Sequence, residues 1–148
     1  MISPEADDPL DLDRQVCFPL YAASNLLNRL YRPILAGLEL TYPQYLVMLV
    51  LWKHRPQTVG SLGEMLHLDS GTLTPLLKRM EQAGLISRTR DAQDERRVLV
   101  GLTAKGIALR SDAVQVPAML GAGLDIDAAS MIELRERVQM LVAALKTS

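Results

Sequence analysis

One cysteine and one short helix carry the residues best able to do chemistry. Cys17 stands near the start of a long stretch of helical apolar periodicity. Partial positive charge at a helix N-terminus favours thiolate over thiol, and thiolate is the form that peroxides oxidise, first to a sulfenic acid. Free cysteine is also among the most often buried residue types, so an inert core cysteine is the competing reading of Cys17 taken alone. The second set lies in the segment Ser70 to Ala83. On a wheel of about 100° per residue, Leu73, Leu76, Leu77 and Met80 share one sector, and Thr72, Thr74, Pro75, Lys78 and Arg79 take the opposite one. Hydroxyls, including Ser70 at the start, can reach phosphates or base edges, and arginine can fork onto a guanine, so this face suits a DNA major groove. Pro75 removes a backbone bond. Either the regular helix starts near Thr72, leaving Pro75 in its first turn, or the helix bends there.

Downstream lies a run of arginines, Arg88, Arg90, Arg96 and Arg97, around the polar turn Asp91 to Glu95. An arginine at a hairpin tip can enter a narrow minor groove, where the potential is most negative. Asp94 lies two residues before Arg96, close enough for its carboxylate to hold that guanidinium in position rather than touch DNA itself.

Charge arithmetic hides this surface. The 148 residues carry 16 basic and 17 acidic side chains, a net charge of −1. Five of the acids fall within 1–13, which has no Lys or Arg, so the remainder carries 16 basic against 12 acidic residues. Six of the basic residues lie between Lys78 and Arg97. A solvated charged face explains that cluster as well as an anion-binding one does, on charge alone. Hydrophobic residues make up 49% and charged residues 22%, a globular composition of single-domain size. The longest apolar run, Tyr45 to Trp52, is far short of the roughly 20 residues of a membrane span. The N-terminus lacks the basic start and apolar stretch of a secretory signal, so a cytoplasmic protein is expected. One cysteine and two histidines argue against an internal disulfide and a structural zinc.

The elements follow from spacing. Residues 1–11 read as an acidic, flexible tail. Leu12, Val16, Leu20, Ala23, Leu27, Leu30, Ile34 and Leu38 predict a first helix over 12–38. Pro19 either delays its regular start, leaving Cys17 in the first turn, or bends it. Thr41 caps a second, almost wholly apolar helix ending near Lys53, with a short buried strand as the competing assignment. Two short helices joined by His67-Leu68-Asp69-Ser70, with Gly84 as the stop, have the shape of a helix-turn-helix. Leu85 to Arg90 and Arg96 to Leu102 then read as a hairpin, a wing. Thr103 caps a helix running from Ala104 toward Pro117, Gly121 and Gly123 break the chain, and Asp127 opens a last helix with Met131, Leu134, Val138, Leu141 and Leu145 on one stripe. The expected fold is mainly α with a small β-hairpin wing, one domain over 12–148.

The run Leu68-Asp69-Ser70-Gly71-Thr72-Leu73-Thr74-Pro75-Leu76-Leu77-Lys78-Arg79-Met80, with Gly84-Leu85-Ile86 and Asp94-Glu95-Arg96-Arg97, resembles the MarR family of winged-helix repressors. Together with Thr41-Tyr42-Pro43-Gln44-Tyr45 and the N-terminal cysteine, it is most similar to the organic hydroperoxide resistance regulators, the OhrR group, over about 12–146. The resemblance implies an intertwined homodimer, with 12–38 and 104–147 as dimerisation helices and 41–102 as the winged helix-turn-helix. It implies a pseudo-palindromic operator in double-stranded DNA, a redox-sensing Cys17, and Tyr21, Tyr31 and Tyr42 around the sulfur.

Phenolic hydroxyls can donate to a thiolate and stabilise it. Tyr21 is one helical turn from Cys17, whereas Tyr31 is about 21 Å further along the same helix and cannot touch it. If first helices of two chains cross antiparallel near Ser24, Tyr31 and Tyr42 of one chain reach Cys17 of the other. The two Cys17 residues then stand about 21 Å apart, beyond disulfide reach. With no second cysteine, the sulfenic acid must be capped by a small thiol, cyclise or be overoxidised. Many relatives respond to small aromatic molecules instead, and in that alternative Cys17 is structural. A thiol peroxidase is a third reading. It lacks a resolving cysteine and leaves the basic wing without purpose, so neither an enzyme nor a cofactor is expected.

Overall fold

The computed structural model describes residues 8–146. Most of the acidic segment assigned to the tail, residues 1–7, lies outside them, as do 147 and 148. The described chain divides into two compact units between Val116 and Pro117.

In the first unit a 3-10 turn at Leu12–Arg14 precedes helix α1, Cys17–Ala36. The periodicity that predicts a helix from Leu12 therefore overreaches by one turn. Pro19 explains it: a helix continuous from Leu12 would need a Pro19 N–H bonded to the Gln15 carbonyl. Instead Pro19 occupies the third position of α1, where its missing N–H is one that the helix leaves unpaired in any case. Cys17 is thereby the first residue of the helix. Pro33, which the spacing argument passed over, lies inside the last turns of α1.

Helix α2, Tyr42–Lys53, starts as the spacing predicts. Thr41 Oγ1 accepts from the Gln44 N–H, and Gln44 Oε1 accepts from the Thr41 N–H, a reciprocal capping box. Its apolar surround is matched by burial in part: Tyr45, Val47, Met48 and Leu51 join Leu35, Leu62, Leu73, Leu77, Met80, Ile86 and Val100 in one core, while Leu49 is exposed.

Thr58 caps α3, Val59–Leu66, and Asp69 caps α4, Ser70–Gln82. Between them His67 takes a left-handed conformation with φ 56°. Helix α4 starts at Ser70, so Pro75 sits in its second turn rather than its first. Gly71, whose carbonyl loses its partner to the proline, is exposed. Three strands, β1 at Gln57–Thr58, β2 at Ile86–Arg90 and β3 at Val98–Leu102, form an antiparallel sheet in the order β1-β3-β2. Strands β2 and β3 form the hairpin, with Arg88 opposite Val100. β1 pairs with Val100 and Leu99 on the other edge of β3.

Helix α5, Ala104–Ala113, clasps the junction of α4 and β2. Thr103 Oγ1 donates to the Gly84 carbonyl at 2.6 Å, Lys105 Nζ donates to the Ala83 carbonyl at 3.0 Å, and Trp52 Nε1 donates to the Gly106 carbonyl at 2.9 Å. The expected helix from Ala104 toward Pro117 is two pieces. It stops at Ala113, and α6, Val116–Ala122, restarts with Pro117 in its first turn and carries through Gly121. Pro117 has no N–H to continue the ladder to Ala113, which accounts for the restart.

In the second unit, Asp127 Oδ1 accepts from the Ser130 N–H at 2.7 Å and opens α7, Ala128–Lys146. None of its residues is buried, and Ile132, Leu134, Met140 and Leu145 are exposed. Helix α1 likewise exposes Phe18, Leu26 and Leu27, and Val16 just before it is exposed as well. No helix among the described residues is long and apolar enough to cross a membrane.

Candidate functional site

Helix α4 is held at its inner face and its start. Asp69 Oδ1 accepts from the Thr72 N–H at 2.7 Å, and this bond holds the Asp69 carboxyl below the usual range, so the cap stays ionised. Leu73, Leu76, Leu77 and Met80 anchor the inner face in the core. Ser70, Thr72, Thr74, Pro75, Lys78 and Arg79 are all exposed.

The wing turn is braced by its own polar groups. Arg90 Nη1 donates to the Glu95 carbonyl at 2.8 Å, and the Asp91 N–H donates to the Arg97 carbonyl at 2.9 Å. Asp94 Oδ1 accepts from both the backbone N–H and Nε of Arg96, each at 3.1 Å. These bonds lower the Asp94 carboxyl below its ordinary range. The Arg96 side chain is 91% exposed, so the carboxylate aims a guanidinium that stands in solvent. A groove of about 400 Å³ runs between α4 and the wing, lined by Thr58, Thr74, Arg88, Arg96 and Arg97.

Arg88 differs from its sequence assignment. It is not at the wing tip but in the middle of β2, and its Nη2 donates to Glu81 Oε1 of α4 at 3.1 Å. Glu81 and Thr58 were missed by spacing. A charge pair seven residues apart across a helix–strand junction has no periodic signature, whereas Thr58 ahead of an apolar helix was readable as a cap.

The structure separates the cysteine from most of its tyrosines within one chain. Cys17 is free and exposed at the first position of α1, a terminus with no side-chain cap and no acidic residue in its first turn. Tyr21, one turn on, is 68% exposed. Tyr31 lies fourteen residues along the same helix, about 21 Å of rise. There it joins Tyr42 at a ring-centroid distance of 4.6 Å and Tyr45 at 6.0 Å. Tyr45, a core residue that the sequence reading did not assign to the site, completes this cluster. A groove of about 470 Å³ beside it is lined by Asn28, Tyr31, Arg32, Leu35, Leu40 and Tyr42. Burial, then repulsion between phenolates, pushes the Tyr31 hydroxyl up to about 12, and burial raises Tyr42 and Tyr45 as well. All three are therefore neutral hydrogen-bond donors at ordinary pH. Among the described residues no group of three or more His, Cys, Asp or Glu is placed to hold a metal.

The raised phenol has a measurable consequence. Unfolded tyrosine ionises near pH 10, so above that the unfolded state releases a proton that native Tyr31 keeps until about 12. The stability it contributes is full below about pH 10 and is lost as pH rises through about 12. Denaturant titrations at about pH 9 and about pH 11 should show a larger loss for wild type than for Tyr31→Phe; equal losses would contradict the assignment.

Comparison with known proteins agrees with this geometry. The model of the transcriptional regulator SarA/Rot family matches residues 29–112. The chain is 47% identical over 140 residues to the organic hydroperoxide resistance transcriptional regulator of Bacillus subtilis, covering 95% of this chain and 93% of that one. Reduced AbfR bound to DNA superposes with a TM-score of 0.81 at 35% identity, over 92% of this chain and 93% of that one, AbfR being a Staphylococcus epidermidis protein. A disulfide-formed AbfR superposes with a TM-score of 0.64 at 37% identity, over 88% and 92% of the two chains. With its winged helix-turn-helix and this likeness over nearly its whole length, the chain belongs to the MarR family of winged-helix transcriptional regulators, in the organic hydroperoxide resistance group.

Proposed function

We propose that the protein is a homodimeric transcriptional repressor in the cytoplasm that binds a pseudo-palindromic operator and releases it when an organic hydroperoxide oxidises Cys17. The observation that carries the sensing half is the separation of donor and thiol. An exposed thiol stands at an uncapped helix start, and a cluster of neutral phenols with an open groove beside it stands about 21 Å along the same helix. Antiparallel crossing of two α1 helices near Ser24 brings each Cys17 to the partner's Tyr31 and Tyr42, forming the site twice. The uncovered apolar residues of α1 and of α7 supply surface for such a dimer.

In this reading the Cys17 thiolate attacks the distal oxygen of the hydroperoxide. The O–O bond breaks, an alcohol leaves after protonation, and a sulfenic acid remains. A small thiol then displaces water from the sulfenic sulfur and leaves a mixed disulfide. Tyr31 and Tyr42 stabilise the thiolate by donating to it, and Tyr21 flanks it on its own helix. Toward DNA, Ser70, Thr72, Thr74, Pro75, Lys78 and Arg79 face the major groove of each half-site, Arg96 enters the flanking minor groove, and Asp94 and Arg90 shape the turn that presents it.

The deciding experiment is operator binding by wild type and Cys17→Ser with and without an organic hydroperoxide. Wild type should release and Cys17→Ser should stay bound. If Cys17→Ser releases equally, the thiol-sensor reading gives way to a small aromatic effector. Division of labour on DNA is separately testable. Arg96→Ala should weaken binding most where the flanks are AT-rich, by about tenfold. Arg79→Ala or Thr74→Ala should relax base preference within the half-site. Uniform loss on every sequence for all three variants would contradict this.

A further inference from the structure

Recognition helix and wing each read a different groove in the proposed complex, and both must reach the same rigid duplex. At the base of their junction the Leu85 N–H donates to the Met80 carbonyl at 3.1 Å, and the Lys105 and Thr103 side chains donate to the carbonyls of Ala83 and Gly84. Away from it, at mid-strand in β2, Arg88 Nη2 meets Glu81 Oε1 in the last turn of α4 at 3.1 Å. Among the described residues this is the ion pair that ties the wing to the helix; the Arg96–Asp94 pair lies wholly within the wing. The Arg88 side chain is only 24% exposed, and its Nε–H is buried without an acceptor.

An ion pair so placed is a poor source of stability. Partial burial costs hydration, one N–H goes unsatisfied, and apolar residues of similar volume commonly serve folding as well or better. Its effect on geometry is larger. Arg88 lines the same groove as Thr74 of α4 and Arg96 and Arg97 of the wing, so a fixed Glu81–Arg88 distance fixes the opening of that groove.

We infer that Glu81 and Arg88 form a strut that sets the angle of the wing against the recognition helix, and so the spacing at which Arg96 meets the minor groove while α4 reads the major groove. Arg88 is then a positioning residue rather than a DNA contact, a change from the role its position in the basic run suggests. The inference rests on the DNA-binding reading above.

The test uses the full dimer and a duplex of about 30 base pairs that wild type selects from a random pool, long enough for two half-sites. Glu81→Gln, Glu81→Arg, Arg88→Glu and the double exchange Glu81→Arg/Arg88→Glu are compared by hydroxyl-radical footprinting of the flanking minor groove and by methylation protection of the half-site guanines. Thermal melting of each free variant reports on folding, and the near-isosteric Glu81→Gln guards against misfolding. Each single variant should lose flank protection and about tenfold in affinity, with guanine protection retained. The double exchange should restore the flank. If Glu81→Gln keeps wild-type flank protection, or the double exchange is as impaired as Arg88→Glu alone, Arg88 is a direct phosphate contact and the strut is wrong. If wild type selects no duplex, the DNA-binding reading fails and the strut falls with it; selection by wild type with intact flanks in every variant overturns the strut alone.

Discussion

Gly106→Ala should be the most destabilising single-methyl change in the described chain. A Cβ at position 106 would stand 2.2 Å from the Leu85 carbonyl oxygen, 3.2 Å from its carbon and 3.3 Å from a Leu102 methyl. The first contact is with backbone at the start of the wing, so no rotamer change relieves it. Relief requires α5 to move off the α4–β2 junction, against the Trp52–Gly106 and Thr103–Gly84 hydrogen bonds and the packing of Leu85, which is 5% exposed. Overpacking of this kind costs about 3 kcal/mol or more, a fall of about 10 °C in Tm for a chain of this size. Gly121→Ala is the control: its Cβ meets nothing within 4 Å in α6, and exchanging a helical glycine for alanine should leave Tm unchanged or raise it. A Gly106→Ala protein melting within about 2 °C of wild type would show that the clasp is looser than the geometry requires.

That clasp also marks where reading from sequence runs out. Elements defined by local chemistry were legible. Thr41 announces the start of α2, Gly84 marks the end of the recognition helix, and Thr103 and Asp127 open helices where their side chains indicate. The polar turn between two apolar runs places the hairpin. What escaped is set by partners distant in the chain. β1 is two residues long and is defined only by its pairing with Leu99 and Val100, so no periodicity could reveal it. Arg88 belongs to an alternating strand, but the face it takes depends on where the end of α4 lies. Tyr45 sits three residues after Tyr42 on α2, a spacing that puts both rings on one side. Only the return of α1 beside α2 shows that they gather around Tyr31. Proline set several helix bounds. Pro19 delays the start of α1 and leaves Cys17 in its first turn, the first of the two outcomes its position allows, whereas Pro117 lies in the first turn of α6 rather than at the end of one long helix, and Pro75 and Pro33 are tolerated inside helices.

Peroxide plus a small thiol should weaken operator binding by wild type about a hundredfold, which needs about 2.7 kcal/mol, and should do so more completely than brief peroxide alone. The sulfenic acid adds one oxygen to the sulfur, and in the proposed dimer neutral phenols can donate to it as well as to the thiolate, so that state alone is expected to retain DNA. A mixed disulfide is larger and offers those donors no anion. In the proposed dimer the first turn of α1, with Cys17 and Phe18, lies against the partner's groove beside Tyr31 and Tyr42. A thiol adduct there competes for the same space and displaces those rings. Tyr42 and Tyr45 stand on α2 with Trp52, whose indole bonds α5 at the clasp on the wing, so a shift of the cluster has a packed route to the DNA-reading unit. A change of a few ångströms in half-site spacing would misplace one recognition helix. Cys17→Ser should stay bound under both treatments. Tyr31→Phe should bind operator as wild type does but form sulfenate about tenfold more slowly, because its thiolate loses one charge-assisted donor. Trapping of the sulfenate with dimedone, followed by mass spectrometry and operator titration of each species, separates the steps. Full release by the sulfenate before any thiol is added would assign the switch to the first oxidation, and retention by the mixed disulfide would remove the steric basis for it.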